Sequence, residues 1–549
     1  ANYVNPEERE CYACGNVKTE QLLRIVEARI VNPYGKLIRK RKVSPEEWYK
    51  LYLENFESKF EWKEKRDLEK KEALPHNRFK IPNRWKQFKI FAMRDALSKL
   101  KDKQYLAINI LEAPILAIIL SFFIKFLAGT EGDPNMYVFS ENVNIPAYLF
   151  MCVVVSLFIG LNVSAEEIIR DRRLRKRESF LNLSRFSFLN SKIFVLFCIS
   201  ALQSLSFVLI GNYVLEIQGL TLQYWAILFS TSCFANMLGL NISSGLNSVV
   251  AIYVLIPLIL VPHLLFSGTI VNFDKLHSSI SSREFVPRIG DVMVTRWSFE
   301  ALAVEQFKNN NYQKNFFEEE MEMSRSYYSS TLIPELIKLN DACRWAYERG
   351  ETETVKKHSA PLANTLREMF GDEGKQVADQ LSKKSQIDYT ASLHDSINKI
   401  LLNKQAAYNR IYHHYSSIKD SKIDSMVRRS SVDDVIALKR ANFNEALADW
   451  MMERRQVKQF ELVGDHFIQK SHPVYREAKG KWGRSHFYAA YKEFGPLSVP
   501  TPLFNMIVVW LGVAMLYVTL YLDILRRIID YFNTFRLRQL NKRLQRLGT

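Results

Sequence analysis

No stretch of the chain reads G-x-x-x-x-G-K-[ST]: "FGDEGKQ" and "GKWGRS" miss the spacing, so no loop here cradles nucleotide phosphates. H-E-x-x-H and G-x-S-x-G are absent, as is a pair of carboxylates placed for acid/base work, which argues against catalysis by this chain itself. Cysteine is scarce and scattered. Cys11 and Cys14 form one C-x-x-C, Cys152, Cys198 and Cys233 lie in apolar runs, and Cys343 stands alone, so no disulfide framework is implied. The C-x-x-C supplies half of a zinc site, but no second pair completes four ligands, so zinc there needs donors from elsewhere. The alternative is a redox or structural turn. No repeat or low-complexity tract is present; with no cleavable signal pattern, the start at Ala1 is expected to be trimmed, processed or preceded by further residues.

What the chain has is length, positive charge and apolar windows. Its 549 residues carry a formal charge of +17, which invites either nucleic acid or a membrane surface. Six apolar windows decide between them: about 108–127, 147–164, 193–213, 224–240, 249–271 and 504–522. Most approach the roughly 20 residues that cross about 30 Å of hydrocarbon. A buried core helix accounts for any one window, whereas six with consistent flanks indicate a polytopic membrane protein.

The flanks give the sidedness. "RDRRLRKRE", Arg170 to Glu178, puts six basic residues into nine positions of the 165–192 connection, which also holds Arg185 and Lys192. "GTEGDPNMYVFSENVNI", 129–145, has acids and no Lys or Arg. Positive charge on short loops marks the cytoplasmic side. Both termini and 165–192 are therefore expected inside, with 129–145 and the long segment between windows five and six outside. The basic run is first an orientation signal, and nucleic acid is excluded as a partner because the charge sits on membrane flanks.

The expected fold is mainly α, a polytopic membrane protein with six transmembrane helices. Four parts are expected: a cytoplasmic lead, 1–83; an interfacial helix with helices one to five, 84–271; a large, mostly helical extracytoplasmic insertion, 272–502; and the last crossing with a basic tail, 503–549. In the lead, "VSPEEWYKLYLENF" predicts a helix with Ser44 as N-cap and Pro45 in the first turn. "RWKQFKIFAMRDALSKLKDKQY" interleaves Trp85, Phe88, Ile90, Phe91 and Leu97 with basic residues, as a helix at the membrane interface does.

Several motifs in order resemble the transmembrane domain of the G subfamily of ATP-binding cassette (ABC) transporters, over about 84–310 and the last window. "QFKIFAMRD" is similar to the connecting helix before the first crossing. "EEIIRDRRLRKRE" resembles the family's acid, acid-basic pair and later acid, here Glu166, Asp171-Arg172 and Glu178. "LFSGTIVN", Leu265 to Asn272, resembles the F-S-G element, and "TRWSFEALAVEQF", Thr295 to Phe307, the R-[WY]-x-x-E-A-L element.

The resemblance implies the permease half of an exporter working as a homodimer by alternating access among membrane lipids. It implies that the 165–192 connection docks on an ABC ATPase domain or subunit carrying ATP and Mg, with Glu166, Asp171, Arg172, Arg175 and Glu178 as coupling residues. Asp171 and Glu178 are two helical turns apart, share a face, and can pair with Arg175 or with basic groups of a partner. It also implies a substrate path lined by Ser156, Ile159, Val261, Leu264 and Leu265, with an outer gate at Thr269-Ile270. His263 is an added titratable residue near that path, where a satisfied interfacial histidine is equally expected.

Two departures matter: the family's ATPase is not in this sequence, so it is fused upstream or separate, and the outer insertion is far longer than the family's loop. An amphipathic or lipid-like substrate fits the apolar path, and a bacterial inner membrane is the expected location. Rival readings are ATP-driven mechanotransmission through the outer domain to an envelope protein, and a non-transporting scaffold.

Overall fold

The computed structural model describes residues 26–31, 33, 37–57, 82–127, 136–178, 183–381, 389–454, 458–480, 482–532 and 534. Cys11 and Cys14 lie outside the described residues. Two compact units are present, Ala1–Ile81 and Pro82–Thr549.

In the first unit β1 (Arg29–Val31) and β2 (Leu37–Arg41) pair antiparallel. Helix α1 (Pro45–Tyr52) begins at Ser44, whose side chain accepts from the Glu47 amide while the Glu47 carboxylate accepts from the Ser44 amide. This reciprocal capping satisfies two amide groups that the first helical turn leaves without partners. The expected N-cap is observed; the hairpin before it was not foreseen.

The second unit begins with α2 (Arg84–Lys101), followed by α3 (Lys103–Ile124), α4 (Ile145–Ser164), α5 (Glu167–Arg177), α6 (Arg185–Val214), α7 (Thr221–Gly245) and α8 (Val249–Leu265). The last long apolar helix, Thr501–Tyr521, comes after the insertion. Among the described residues five helices are long and apolar enough to cross a membrane: α3, the α4–α5 run, α6, α7 and Thr501–Tyr521. The sixth expected crossing is shorter than its apolar window, because α8 has 17 residues and stops at Leu265. At 1.5 Å per residue it is about 26 Å long.

The stop has a local cause. Gly268 sits at φ +80, and a Cβ there would fall 2.4 Å from the Phe273 ring. The F-S-G turn thus needs glycine for its backbone angle and for the ring packed on it.

Helix α2 turns its chemistry inside out. Gln87, Phe91, Asp95 and Lys99, four apart, are buried, while Ile90, Met93, Leu97 and Leu100 are exposed. An apolar stripe facing outward with polar groups facing the protein is the pattern of a helix against lipid. On α8 an exposed stripe runs through Val250, Val254, Leu258, Val261 and Leu265.

The insertion is built in two layers. Its near layer contains α9 (Arg288–Val292), α10 (Val294–Lys308) and α11 (Phe317–Ser324), then, later in the chain, α16 (Val432–Asn442), α17 (Glu445–Met451) and two hairpins. These hairpins pair β3 (Phe460–Val463) with β4 (His466–Gln469), and β5 (Tyr491–Phe494) with β6 (Leu497–Pro500). The far layer comprises α12 (Ile333–Glu348), α13 (Thr352–Met369), α14 (Gly371–Leu381) and the start of the 39-residue α15 (Ala391–Arg429), around a core of its own. The near layer shares its core with the apolar helices: Phe299, Phe443, Leu447 and Tyr488 belong to the same cluster as Tyr148, Phe207 and Leu228. Asn444 Nδ2 donates to the carbonyls of Phe139 and Asn142 at 2.8 and 2.9 Å. The connection before α4 therefore lies against the insertion at one end of the bundle.

From Val294 to Phe307 every residue of α10 is buried, charged ones included. Glu300 accepts from Lys492 Nζ at 2.7 Å and from Asn505 Nδ2 at 2.8 Å, and Lys492 also donates to Asn505 Oδ1 at 2.8 Å. Arg296 lies within 3.6 Å of Glu300 and stacks 3.8 Å over the Trp297 ring. One carboxylate thus answers two buried cations. Burial pushes Lys492 down to about 7, with Glu300 opposing the shift and Arg296 adding to it. Burial alone would raise Glu300, but Arg296 and Lys492 hold it low. This knot joins α10, β5 and the start of the last apolar helix, which we call α18 (Thr501–Tyr521).

Glu300→Gln removes the buried carboxylate that both cations share, leaving only the partly exposed Asp291, 3.7 Å from Arg296, and is expected to cost about 3–5 kcal/mol, whereas Lys492→Met keeps Glu300 paired with Arg296 and costs less. Thermal unfolding in detergent checks the order. Lys492 binds its proton less tightly folded, at about 7, than at its ordinary 10.5. Below 7 both states are protonated; between these values only the unfolded state is, so the lysine's contribution to stability rises with pH across that window. The rise should be smaller in Lys492→Met.

Candidate functional site

The expected coupling residues gather at the end of the bundle opposite the insertion, where α5 meets α2, α6 and α7. The junction is a buried charge cluster. Lys192 of α6 pairs with Asp95, with Glu167 at 3.0 Å and with Asp171 at 2.8 Å. Lys99 of α2 pairs with Asp95 and with Glu167, each at 2.8 Å. Lys99 and Lys192 are each 4% exposed and Glu167 2%, so these are interior ions held by mutual pairing. Burial works to raise Asp95, but Lys192 and Lys99 outweigh it and keep the carboxyl below its ordinary value.

Around this cluster α5 is fixed at both ends. The amides of Ile168 and Ile169 donate to Ser243 Oγ at 3.1 Å. Arg172 donates to the carbonyls of Ser244 and Leu246 at 3.0 and 2.9 Å and to the Asn247 side chain. A guanidinium there answers the carbonyls and the negative dipole at the C-terminus of α7. Glu178, just past α5, accepts from Arg94 of α2 at 2.7 Å. Arg175 lies 4.8 Å over the Phe188 ring, and Glu166 lies beside Tyr253 of α8.

Asp171 and Glu178 thus pair inside the chain, with Lys192 and Arg94 rather than with Arg175. The sequence reading missed Asp95, Lys99 and Glu167 and took Lys192 for a flanking charge. The available signal was Asp95 and Lys99, an i,i+4 pair on the same face as Phe91.

The expected path residues do not form one surface. Ser156 and Ile159 are buried inside the bundle, where the Ser156 carbonyl accepts from Ser232 Oγ at 3.1 Å. Val261, Leu265 and Ile270 are exposed, and Leu264 is half-buried against the core. His263 turns into the protein: its Nδ1 donates to the Ile259 carbonyl at 2.9 Å, and its own carbonyl accepts from Thr295 Oγ1 at 2.6 Å. It is a packing contact between α8 and α10. Thr269 follows the F-S-G turn, its amide donating to Ser267 Oγ at 3.3 Å.

Among the described residues no group of His, Cys, Asp and Glu is arranged to hold a metal, and the four cysteines are free.

This arrangement of apolar helices, an outward-apolar connecting helix and a basic helix locked beneath them is that of a membrane transporter component. Residues 86–307 match the family described as ABC-2 type transporter. The ABC transporter G family member STR of Petunia hybrida is 22% identical over 275 residues, 48% of this chain and 30% of that relative's length. This stretch is therefore similar to the permease domain of G-subfamily ABC transporters, and the chain spans less than a third of the length of the relative it matches.

Lys192→Met leaves Asp95 and Glu167 to share Lys99, with Arg170 3.8 Å from Glu167, and takes away the partner of Asp171, so it is expected to destabilise the chain by about 3–5 kcal/mol. The partly exposed Arg94–Glu178 pair is worth about 0–1 kcal/mol, so Glu178→Gln should leave the unfolding midpoint nearly unchanged. Unfolding curves of both variants check the contrast.

Proposed function

We propose that the chain is the membrane-spanning part of an ABC exporter, working as a dimer and moving an amphipathic substrate by alternating access. ATP and Mg act on an ATPase domain or subunit outside this sequence. What supports the reading most is the buried charge junction. It ties α5, the element expected to meet the ATPase, to α2, α6 and α7 through pairs that are costly to break, so a push on α5 moves those helices together. The exposed apolar stripe of α8 is the surface offered to the second copy along the substrate path. The termini and α5 are cytoplasmic, and the insertion is extracytoplasmic.

A second reading, mechanical transmission to an outer partner, is favoured by one observation: the Glu300–Lys492–Asn505 knot fastens the insertion to α18, so the insertion moves with the membrane helices.

The test is vanadate-sensitive ATPase activity of the native complex purified with its ATPase. Arg94→Glu and Glu178→Arg are each expected to lower substrate-stimulated turnover several-fold with folding intact, and the exchanged double variant should recover most of it. Full activity in both single variants would remove the Arg94–Glu178 contact between α2 and α5 from the coupling mechanism.

A further inference from the structure

Directly beyond the F-S-G turn lies a cavity of about 290 Å³, walled on one side by Gly268 and Thr269 and on the other by the insertion. Its size is near the lower end of small-ligand sites, enough for a polar headgroup and too small for acyl chains. Aromatic walls come from Phe273, Trp450, Phe487 and Tyr488.

Most ions at its edge are already spent. Asp274 pairs with Lys470 at 2.6 Å, Glu284 with Lys479 at 3.4 Å and Asp449 with Arg454 at 3.3 Å. Arg283 pairs with Glu461. Glu453 differs: among the described residues its carboxylate has neither an ion pair nor a hydrogen bond, although it is largely buried and lines the cavity. Its backbone sits at φ 48, a left-handed conformation that a non-glycine residue adopts only at a cost. Burial, with Asp274 nearby, pushes its carboxyl up to about 7 against the weaker opposing pull of Lys470 and Arg476.

On the same wall Arg476 donates through Nε to His486 Nδ1 at 3.3 Å and through one terminal nitrogen to the Gln469 carbonyl. His486 Nε2 donates in turn to the Pro473 carbonyl at 2.7 Å, so this imidazole is neutral, and the negative charges that act on the arginine are Glu284 and Glu453, neither in direct ion-pair contact with it. The second terminal nitrogen of Arg476 has no hydrogen-bond partner among the described residues. Thr269 Oγ1, at the gate side of the cavity, is buried without a partner.

We propose that this cavity is a headgroup site for a zwitterionic amphiphile, with Glu453 taking an ammonium group between the aromatic faces and Arg476 taking the anionic part. The cavity wall carries the Glu453 carboxylate and the Arg476 guanidinium without a direct ion pair between them, and a headgroup with both charges answers both, whereas a purely anionic or cationic headgroup would meet one of them with like charge. Aromatic faces add to the holding of an ammonium group. The apolar part lies along the exposed Val261, Leu265 and Ile270, the last of which is next to Thr269. The proposal rests on the exporter reading, names its substrate class, and gives the long insertion a part in the path.

The test is calorimetric binding of soluble dihexanoyl lipids to the purified full chain in detergent, without the ATPase. Dihexanoyl phosphatidylethanolamine is expected to bind, with N-acetylation of its amine, or exchange for the glycerol headgroup, weakening binding at least tenfold. Glu453→Gln should weaken the ethanolamine lipid tenfold and leave the glycerol lipid unchanged. Equal binding of the three lipids to the wild type overturns the proposal without recourse to any variant, and so does undiminished ethanolamine-lipid binding by a folded Glu453→Gln. Because the readout needs no ATP hydrolysis, a negative result leaves the exporter reading standing. Loss of ATPase coupling with binding intact would do the reverse.

Discussion

Two lysines and two carboxylates buried beneath the apolar helices, with the partly exposed Asp171 at their edge, set the frame of this molecule. Taking four ions out of water is costly, and only close mutual pairing offsets it. Lys192 meets Asp95, Glu167 and Asp171 at once, so α2, α5 and α6 cannot shift independently without exposing a charge to the interior. The apolar stripe of α2 follows from the same constraint: with its polar face turned inward to supply Asp95 and Lys99, its apolar face is left for lipid.

A second ionic knot stands at the other end. Glu300, Lys492 and Asn505 connect α10, β5 and α18, and the near layer of the insertion shares one hydrophobic core with the membrane helices. Between the two knots the helices are joined by small-residue contacts. Gly160 lies against Ala235 and the Ser232 carbonyl, with a Cβ there falling 2.6 Å from the alanine methyl, so α4 and α7 approach more closely than larger residues allow. Rigid ends joined by close helix packing suit a body in which motion at one end is felt at the other.

Much of this frame was legible in the sequence. Hydropathy windows located the long helices because crossing hydrocarbon demands length and apolarity together, and the Ser44 cap was legible because its chemistry is local. The end of α8 was not: apolar residues continue to Val271, but the backbone turns at Gly268, a constraint invisible to hydropathy. The hairpins 460–469 and 491–500 were missed because four-residue strands carry little periodic signal. The charge cluster was hidden by distance along the chain, since Lys99 and Glu167 are 68 residues apart and Asp95 and Lys192 are 97 apart. Charge on a basic connection looks alike whether it marks sidedness or fills an interior site; only Lys192's position at the start of an apolar helix set it apart.

The central claim, that α2 and α5 move as one body during turnover, is tested most directly by joining them. Cysteines placed at Arg94 and Glu178 remove the partly exposed pair, and a short thiol cross-linker replaces it with a covalent link. Vanadate-sensitive ATPase turnover of the native complex should fall below wild type in the reduced double-cysteine variant and return on cross-linking. Turnover that stops on cross-linking would show that the two helices must separate, contradicting the account.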